Sequence, residues 1–349
     1  MEKYTLKIKT LTPIWTGNAN KKNTTLRETG IIGNLRWWYE AIIRGLGLTA
    51  CDPTKTQCNI KNHCDACELF GCTGWSRKFR LEVDFNQIIP EIEIGTRKKH
   101  NNKYLKRKVE GFMSTDSFPL NFIPLKNIRK NEWYLLNATL NIIENYGALG
   151  ARISQGCGVV KIIENTLPIS NTKINLTESS VKKCNVSPNF NDFFFYKYQL
   201  NFNDAILNTI DKHKFWTHNH CHKDFAENWN QWRIMWENYG FLPIAFHLRD
   251  SLRTLIDNKN SRKSDMGNSD KGLKLFVSHG YKIDENIVEC RIGGYDGNDI
   301  VGSLQSKIEK DYELERSLKH KLFSNGNDEL KSCKLKEKKT GKELLEELK

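Results

Sequence analysis

The chain opens on an alternation. Tyr4, Leu6 and Ile8 are apolar between Thr5, Lys7 and Lys9, so residues 3–11 are expected to form a strand with one buried face. Residues 12–30, starting Thr12-Pro13-Ile14-Trp15-Thr16-Gly17, lack periodicity and read as a long loop. From 31 to 46 the spacing becomes helical: Leu35, Trp38, Ile42 and Leu46 share a face, and Gly47 ends it. Phe79-Arg80-Leu81-Glu82-Val83-Asp84-Phe85 alternates again, and 118–125 reads as a further strand. Trp133, Leu136, Leu140 and Ile143 return at helical spacing over 132–146, with Asn131 as N-cap and Gly147 at the C′ position. The β-branched run after Gly158 predicts a strand over 158–163. The order is β-α-β-β-α-β, the ferredoxin-like or RRM-like pattern.

The stretch 166–190, rich in Asn, Ser, Thr and Lys, reads as a linker. A second unit, 191–349, starts with an alternating strand over 193–202. Helices are expected near 222–239, 244–257 and 303–322, and strands near 273–278 and 287–292. Residues 334–349 are charged and helix-prone, and are expected to be peripheral. The fold class is therefore α+β: tandem ferredoxin-like units, the first (1–165) carrying a cysteine-rich insertion at 50–76 and a basic flap at about 96–110.

Composition narrows the function. With 38% hydrophobic residues and nine tryptophans among 349 residues, the chain folds around real cores. No apolar run approaches the roughly 18–20 residues of a membrane span, and the N-terminus lacks a signal-peptide core, so a cytoplasmic protein is expected. Net charge is +13, and residues 1–160 hold 24 Lys and Arg against 14 Asp and Glu. A basic half with abundant aromatics points to nucleic acid, the plainer alternative being a generally lysine-rich composition.

Five of the ten cysteines fall in one window, Cys51-x6-Cys58-x5-Cys64-x2-Cys67-x4-Cys72. In a reducing compartment this spacing suits structural zinc, with Cys51, Cys58, Cys64 and Cys67 as ligands. Cys72 is the spare and His63 the alternative donor. Zinc would staple an insertion too polar to build its own core; the competing reading is reduced, unliganded thiols.

Basic residues gather in two places. Arg97, Lys98, Lys99, Lys103, Lys106, Arg107 and Lys108 lie in a segment without acids, between two predicted strands, suited to tracking a phosphate backbone. Trp15, Lys21, Lys22 and Arg27 occupy the first loop; Arg36, Trp37 and Arg44 occupy the helix after it, where Trp38 is expected in the core. Between the second helix and the following strand runs Gly147-Ala148-Leu149-Gly150-Ala151-Arg152-Ile153-Ser154-Gln155-Gly156-Cys157-Gly158. Its spacing matches neither a P-loop nor a dinucleotide fingerprint. Four glycines let a phosphate chain or another backbone approach; the alternative is a demanding turn with no ligand. His213, His218, His220, Cys221 and His222 resemble a second metal site by composition, which a polar loop also produces by accident. No H-E-x-x-H, G-x-S-x-G or paired-carboxylate motif appears.

With Thr12–Gly17, Gly33-Asn34-Leu35-Arg36-Trp37-Trp38 with Arg44, Cys64-Asp65-Ala66-Cys67-Glu68-Leu69-Phe70-Gly71 and Gly147–Gly158 in series, the chain resembles the RAMP superfamily of CRISPR-associated proteins. Within it, the likeness is to the first RAMP subunit of type III-B (Cmr) effector complexes. Tyr239-Gly240-Phe241-Leu242-Pro243 and the helix with Arg249 and Arg253 extend the likeness loosely. The resemblance implies a non-catalytic RNA-binding subunit that contacts the 3′ region of crRNA and its duplex with target RNA. Other RAMP and large-subunit proteins of the complex would be its partners, with no membrane and no small-molecule substrate. Gly150, Arg152 and Gln155 would join the basic residues above on the RNA. The family commonly has basic residues where this chain has Ser154-Gln155, leaving Arg152 as the loop's one arginine. A metal-independent crRNA-processing endonuclease and a zinc-stabilised protein–protein adaptor are the alternative readings.

Overall fold

The computed structural model describes residues 2–17, 24–52, 58–85, 87–89, 91–100, 103–169, 187–216, 225–256, 266, 274–295, 308–323 and 329–348. The first half runs β1 (Tyr4–Thr10), α1 (Glu28–Gly45), α2 (Asp65–Phe70), β2 (Phe79–Val83), β3 (Ile92–His100), β4 (Lys103–Val109), β5 (Phe118–Pro124), α3 (Lys130–Asn145) and β6 (Val160–Asn165). β1, β2, β5 and β6 form an antiparallel sheet in the order β2-β5-β1-β6, with Leu6 opposite Leu120 and Ile8 opposite Phe118. Leu6, Ile8, Leu81, Leu120 and Phe122 share a core with α1 and α3 through Leu35, Trp38, Ile42, Leu136, Leu140 and Ile143, as their spacing predicts. The basic segment expected as a flap is a two-stranded hairpin, β3 and β4. Its root is anchored, because Ile92, Ile94 and Val109 are buried in the core of the second half.

The second half runs β7 (Phe193–Phe202), α4 (Ile206–Asp211), α5 (Phe225–Tyr239), β8 (Phe241–Leu242), α6 (Ala245–Leu255), β9 (Leu275–Val277), β10 (Gly280–Asp284), β11 (Ile287–Tyr295), α7 (Asp311–Leu322), β12 (Leu330–Thr340) and α8 (Gly341–Glu347). Its sheet follows the order β12-β7-β11-β10-β8, with β9 also paired to β11. The charged terminal stretch is not a peripheral helix. Leu330 and Cys333 turn inward while the lysines of β12 face out, so it serves as an edge strand along β7. The short α8 then lays Leu344 and Leu345 into the core of the first half.

β7 explains its own unbroken apolar start. Phe193 and Phe195 point into the first core, whereas Phe194, Tyr196, Tyr198, Leu200 and Phe202 point into the second. A strand covered on both faces needs no polar side. Trp38 packs on Phe193, Phe195 and Phe276 and donates from Nε1 to Ala148 O at 3.1 Å.

The glycine segment closes the same junction. Gly156 pairs with Ser278, and His279 N donates to Gly156 O at 3.3 Å. Arg291, 7% exposed, donates to Gly147 O at 3.1 Å. Arg249 donates to Ser154 O at 3.0 Å. At Gly156, where φ is +105°, a Cβ would stand 2.4 Å from Ala245 Cβ and 2.5 Å from His279 Cδ2. Gly156→Ala is therefore expected to cost about 2–5 kcal/mol, from strain plus overpacking, read as a lower urea midpoint.

His279 is fully buried, and its Nδ1 accepts the Ala245 N–H at 3.0 Å. Burial, with His247 nearby, pulls it down from 6.5 to about 3. The unfolded chain thus takes up a proton that the folded protein refuses, so stability falls as pH drops from 6.5 toward 3. The slope from this group reaches about 1.4 kcal/mol per pH unit. His279→Asn, which keeps an acceptor for Ala245, is expected to shrink the difference between urea midpoints at pH 7 and pH 5.

Candidate metal centre and nucleic-acid face

Cys64 is the N-cap of α2 and Cys67 lies in its first turn, so the C-x-x-C spacing puts both thiols on one side of a helix start. Asp65 Oδ2 accepts from Thr49 N and Thr49 Oγ1, each at 2.7 Å, which presses the turn after α1 against α2. Cys51 follows directly: its N–H donates to Cys64 Sγ at 3.3 Å and its sulfur lies 3.6 Å from Cys67 Sγ. With Cys58, the four sulfurs lie within 4.8 Å of one another. A tetrahedral ion with metal–sulfur bonds of about 2.3 Å spaces its ligands about 3.8 Å apart, so the quartet fits a metal ion with small adjustments. The Cys67 hydrogen bond, then the Cys51 and Cys67 N–H groups, draw Cys64 down to about 4, while burial pushes Cys51 up to about 12.

Of the two reserve ligands, His63 is otherwise engaged, while Cys72 stays beside Cys67. His63 Nε2 meets Glu68 Oε2 at 2.5 Å, and its ring stacks on Trp75. Cys72 Sγ points to Thr73 O. Among the described residues, the quartet is the group of Cys, His, Asp and Glu close enough to hold an ion. Of the histidine cluster, His213 stacks on Trp229; His218, His220, Cys221 and His222 lie outside the described residues.

Several residues expected on RNA are used internally. Arg44, 8% exposed, donates to Ala50 O, Cys51 O and Pro188 O. Arg36 is turned to Glu40, Gly71 O and Cys67. Half-buried Trp37 packs against Trp38, Phe193 and Tyr295. Gly150 has φ of +88°, and a Cβ there would lie 2.9 Å from Trp15 O, so the close approach of the Trp15 backbone accounts for this glycine. Half-buried Gln155 closes a turn through its own N–H to Arg152 O. For Arg36 and Arg44, helical spacing does not say which polar side chain reaches an internal carbonyl.

The remaining basic residues are better placed. Arg152 is half-exposed, stacks 4.0 Å over Trp15 and pairs with Glu110 at 2.8 Å, while Trp15 Nε1 shares that carboxylate. Arg27 is exposed before α1. Arg97, Lys98 and Lys99 fall in β3, and Lys103 and Lys106 in β4. Arg107 and Lys108 are exposed, the latter paired with Glu91. Lys21 and Lys22 lie outside the described residues.

Sequence reasoning left Arg249 and Arg253 out of the site, though their four-residue spacing on a helix was the available signal. Arg249 is held by three carbonyls, those of Ser154, Leu275 and Met266. Burial, then Arg253, then Arg107, draw it down to about 10. Arg249, bonded to Ser154 O of the glycine segment, thus lies in the field of like charges from α6 and β4, which favours an anion.

Residues 7–161 match the family model of the RAMP superfamily. No curated protein matches the chain. Among solved structures, the cryo-EM structure of the type III-B Cmr-beta bound to cognate target RNA aligns at 14% identity and a TM-score of 0.30, covering 47% of this chain and 54% of that one. The apo crystal structure of Cmr1 from Pyrococcus furiosus aligns at 12% identity and a TM-score of 0.42, covering 86% and 89%. The chain thus spans about half, 54%, of the first of these. No helix among the described residues is long and apolar enough to cross a membrane.

If the quartet holds a metal, elemental analysis of the purified chain returns stoichiometric metal, and Cys64→Ser loses it together with thermal stability. Metal-free protein with an unchanged melting temperature would count against the centre.

Proposed function

From the match of residues 7–161 to the RAMP superfamily model we propose that the protein is a non-catalytic RNA-binding subunit of a type III-B CRISPR effector ribonucleoprotein. Both sheets support a tandem ferredoxin-like reading. With the hairpin set aside, β2-β5-β1-β6 is the order second-third-first-fourth, and β12-β7-β11-β10 is the same order read from the other edge. The ligand would be the 3′ region of crRNA and its duplex with target RNA, and the partners the other subunits of the complex. The four-cysteine centre would hold zinc, whose preference for tetrahedral sulfur suits the donor set. Its work would be structural, fixing the insertion to α1.

The observation that carries the RNA reading is the face at the glycine segment, where half-buried Arg249 holds Ser154 O and half-exposed Arg152 stacks on Trp15, with exposed Arg253 on the same helix and exposed Arg107 within electrostatic reach of Arg249. Phosphate oxygens satisfy such a cluster from outside, and the basic hairpin extends it. No group is assigned to bond cleavage in this reading.

Arg107→Ala and Arg253→Ala, both at exposed positions, are expected to weaken binding to guide RNA uniformly across sequences. Each lost contact should flatten the salt dependence by roughly 0.7 on a single strand. Unchanged affinity in the double variant would sink the assignment. In the same assay the RNA should stay intact in EDTA, whereas one discrete cut would favour the endonuclease reading.

A further inference from the structure

One face of α1 carries Arg36, Glu40 and Arg44, four residues apart. Arg36 donates from Nη2 to Cys67 Sγ at 3.3 Å, from Nη1 to Gly71 O at 2.9 Å and from Nε to Glu40 Oε1 at 2.7 Å. Glu40 Oε2 accepts from Arg44 Nη2 at 3.4 Å. The same Arg44 nitrogen donates to the carbonyl of Cys51 at 3.0 Å, and Nη1 donates to Pro188 O at 3.0 Å. Glu40 and Arg44 are 6% and 8% exposed. Two guanidiniums thus share one carboxylate, which leaves positive charge turned toward the cysteines.

That charge gains its full counterpart when the centre is filled. Four thiolates around a divalent cation carry a net negative charge in a poorly solvated place, and an arginine N–H on a ligating sulfur both balances it and orients the ligand. A neutral thiol is a weak acceptor, so of Arg36's three bonds the one to Cys67 is the bond a metal-held thiolate strengthens.

The far end of the row reaches the entrance to the second half. Pro188 leads into Phe190, which is buried and stacks 5.0 Å from Phe193 at the start of β7. Asn191 Nδ2 donates to Gly45 O at 3.0 Å, fastening the same segment to the end of α1.

We infer that Arg36 and Arg44 are positioning residues that tie the cysteine centre to the junction of the two halves, so that filling the centre with zinc firms the segment 187–195 as well as the insertion. The inference rests on the metal reading of the quartet, and reaches past it to a segment more than a hundred residues along the chain.

The full chain, stripped with a chelator under reducing conditions and titrated with Co²⁺, tests it. The thiolate-to-cobalt absorption reports filling, and hydrogen exchange is followed over 58–70 and 187–195. Filling is expected to slow exchange severalfold in both segments. In Arg44→Gln the cobalt band and the protection of 58–70 should persist while the response at 187–195 is lost. Protection confined to 58–70 in the unaltered chain would overturn the coupling and leave the metal centre standing. Absence of the cobalt band would remove the metal reading and this inference together. If Arg44→Gln does not fold, the unaltered chain with and without Co²⁺ still decides.

Discussion

The constraint on which the architecture rests is that β7 must be buried on both faces. Phe193 and Phe195 belong to one core, Phe194 and Tyr196 to the other, so neither half can close until this strand is in place. The same requirement forces backbone against backbone on the other side of the junction, where Gly156 lies against Ala245 and His279. Arg291 and Arg249 then cap the glycine segment's carbonyls from the second half. Apolar burial supplies the bulk of the attraction, while buried carbonyls that need donors fix how the halves meet.

Much of the first half was legible because each of its elements keeps one buried and one solvated face. Leu6 and Ile8, Leu35 to Ile42, and Leu136 to Ile143 declare their period without reference to anything distant. The cysteine quartet was legible for a similar reason: a C-x-x-C at a helix start brings two ligands together through local geometry alone. The missed features depend on remote partners. β10 and β12 were missed because their register is set by β11 and β7, not by their own pattern. The glycine segment looked like a phosphate cradle because a close approach by protein and a close approach by ligand demand the same residue.

The basic composition is also reapportioned by the fold. Arg44, Arg249 and Arg291 spend guanidinium donors on main-chain carbonyls around the junction, and Arg36 on Gly71 O in the insertion. Each would otherwise leave buried acceptors unmet. The cations left over sit on the hairpin, on α6 and along β12. On β12 they have a further effect: Lys331, Lys334 and Lys336 line an outer strand and discourage any other strand from adding to it.

The family match ends at residue 161, yet the core it begins does not. Phe190, Phe193, Phe195, Phe276, Leu344 and Leu345 complete that core from beyond the matched region, the last two from the far end of the chain. What is inherited as one recognisable unit is therefore not what melts as one. With one core closed from both ends of the chain and β7 shared between the two, the halves are expected to lose their structure together.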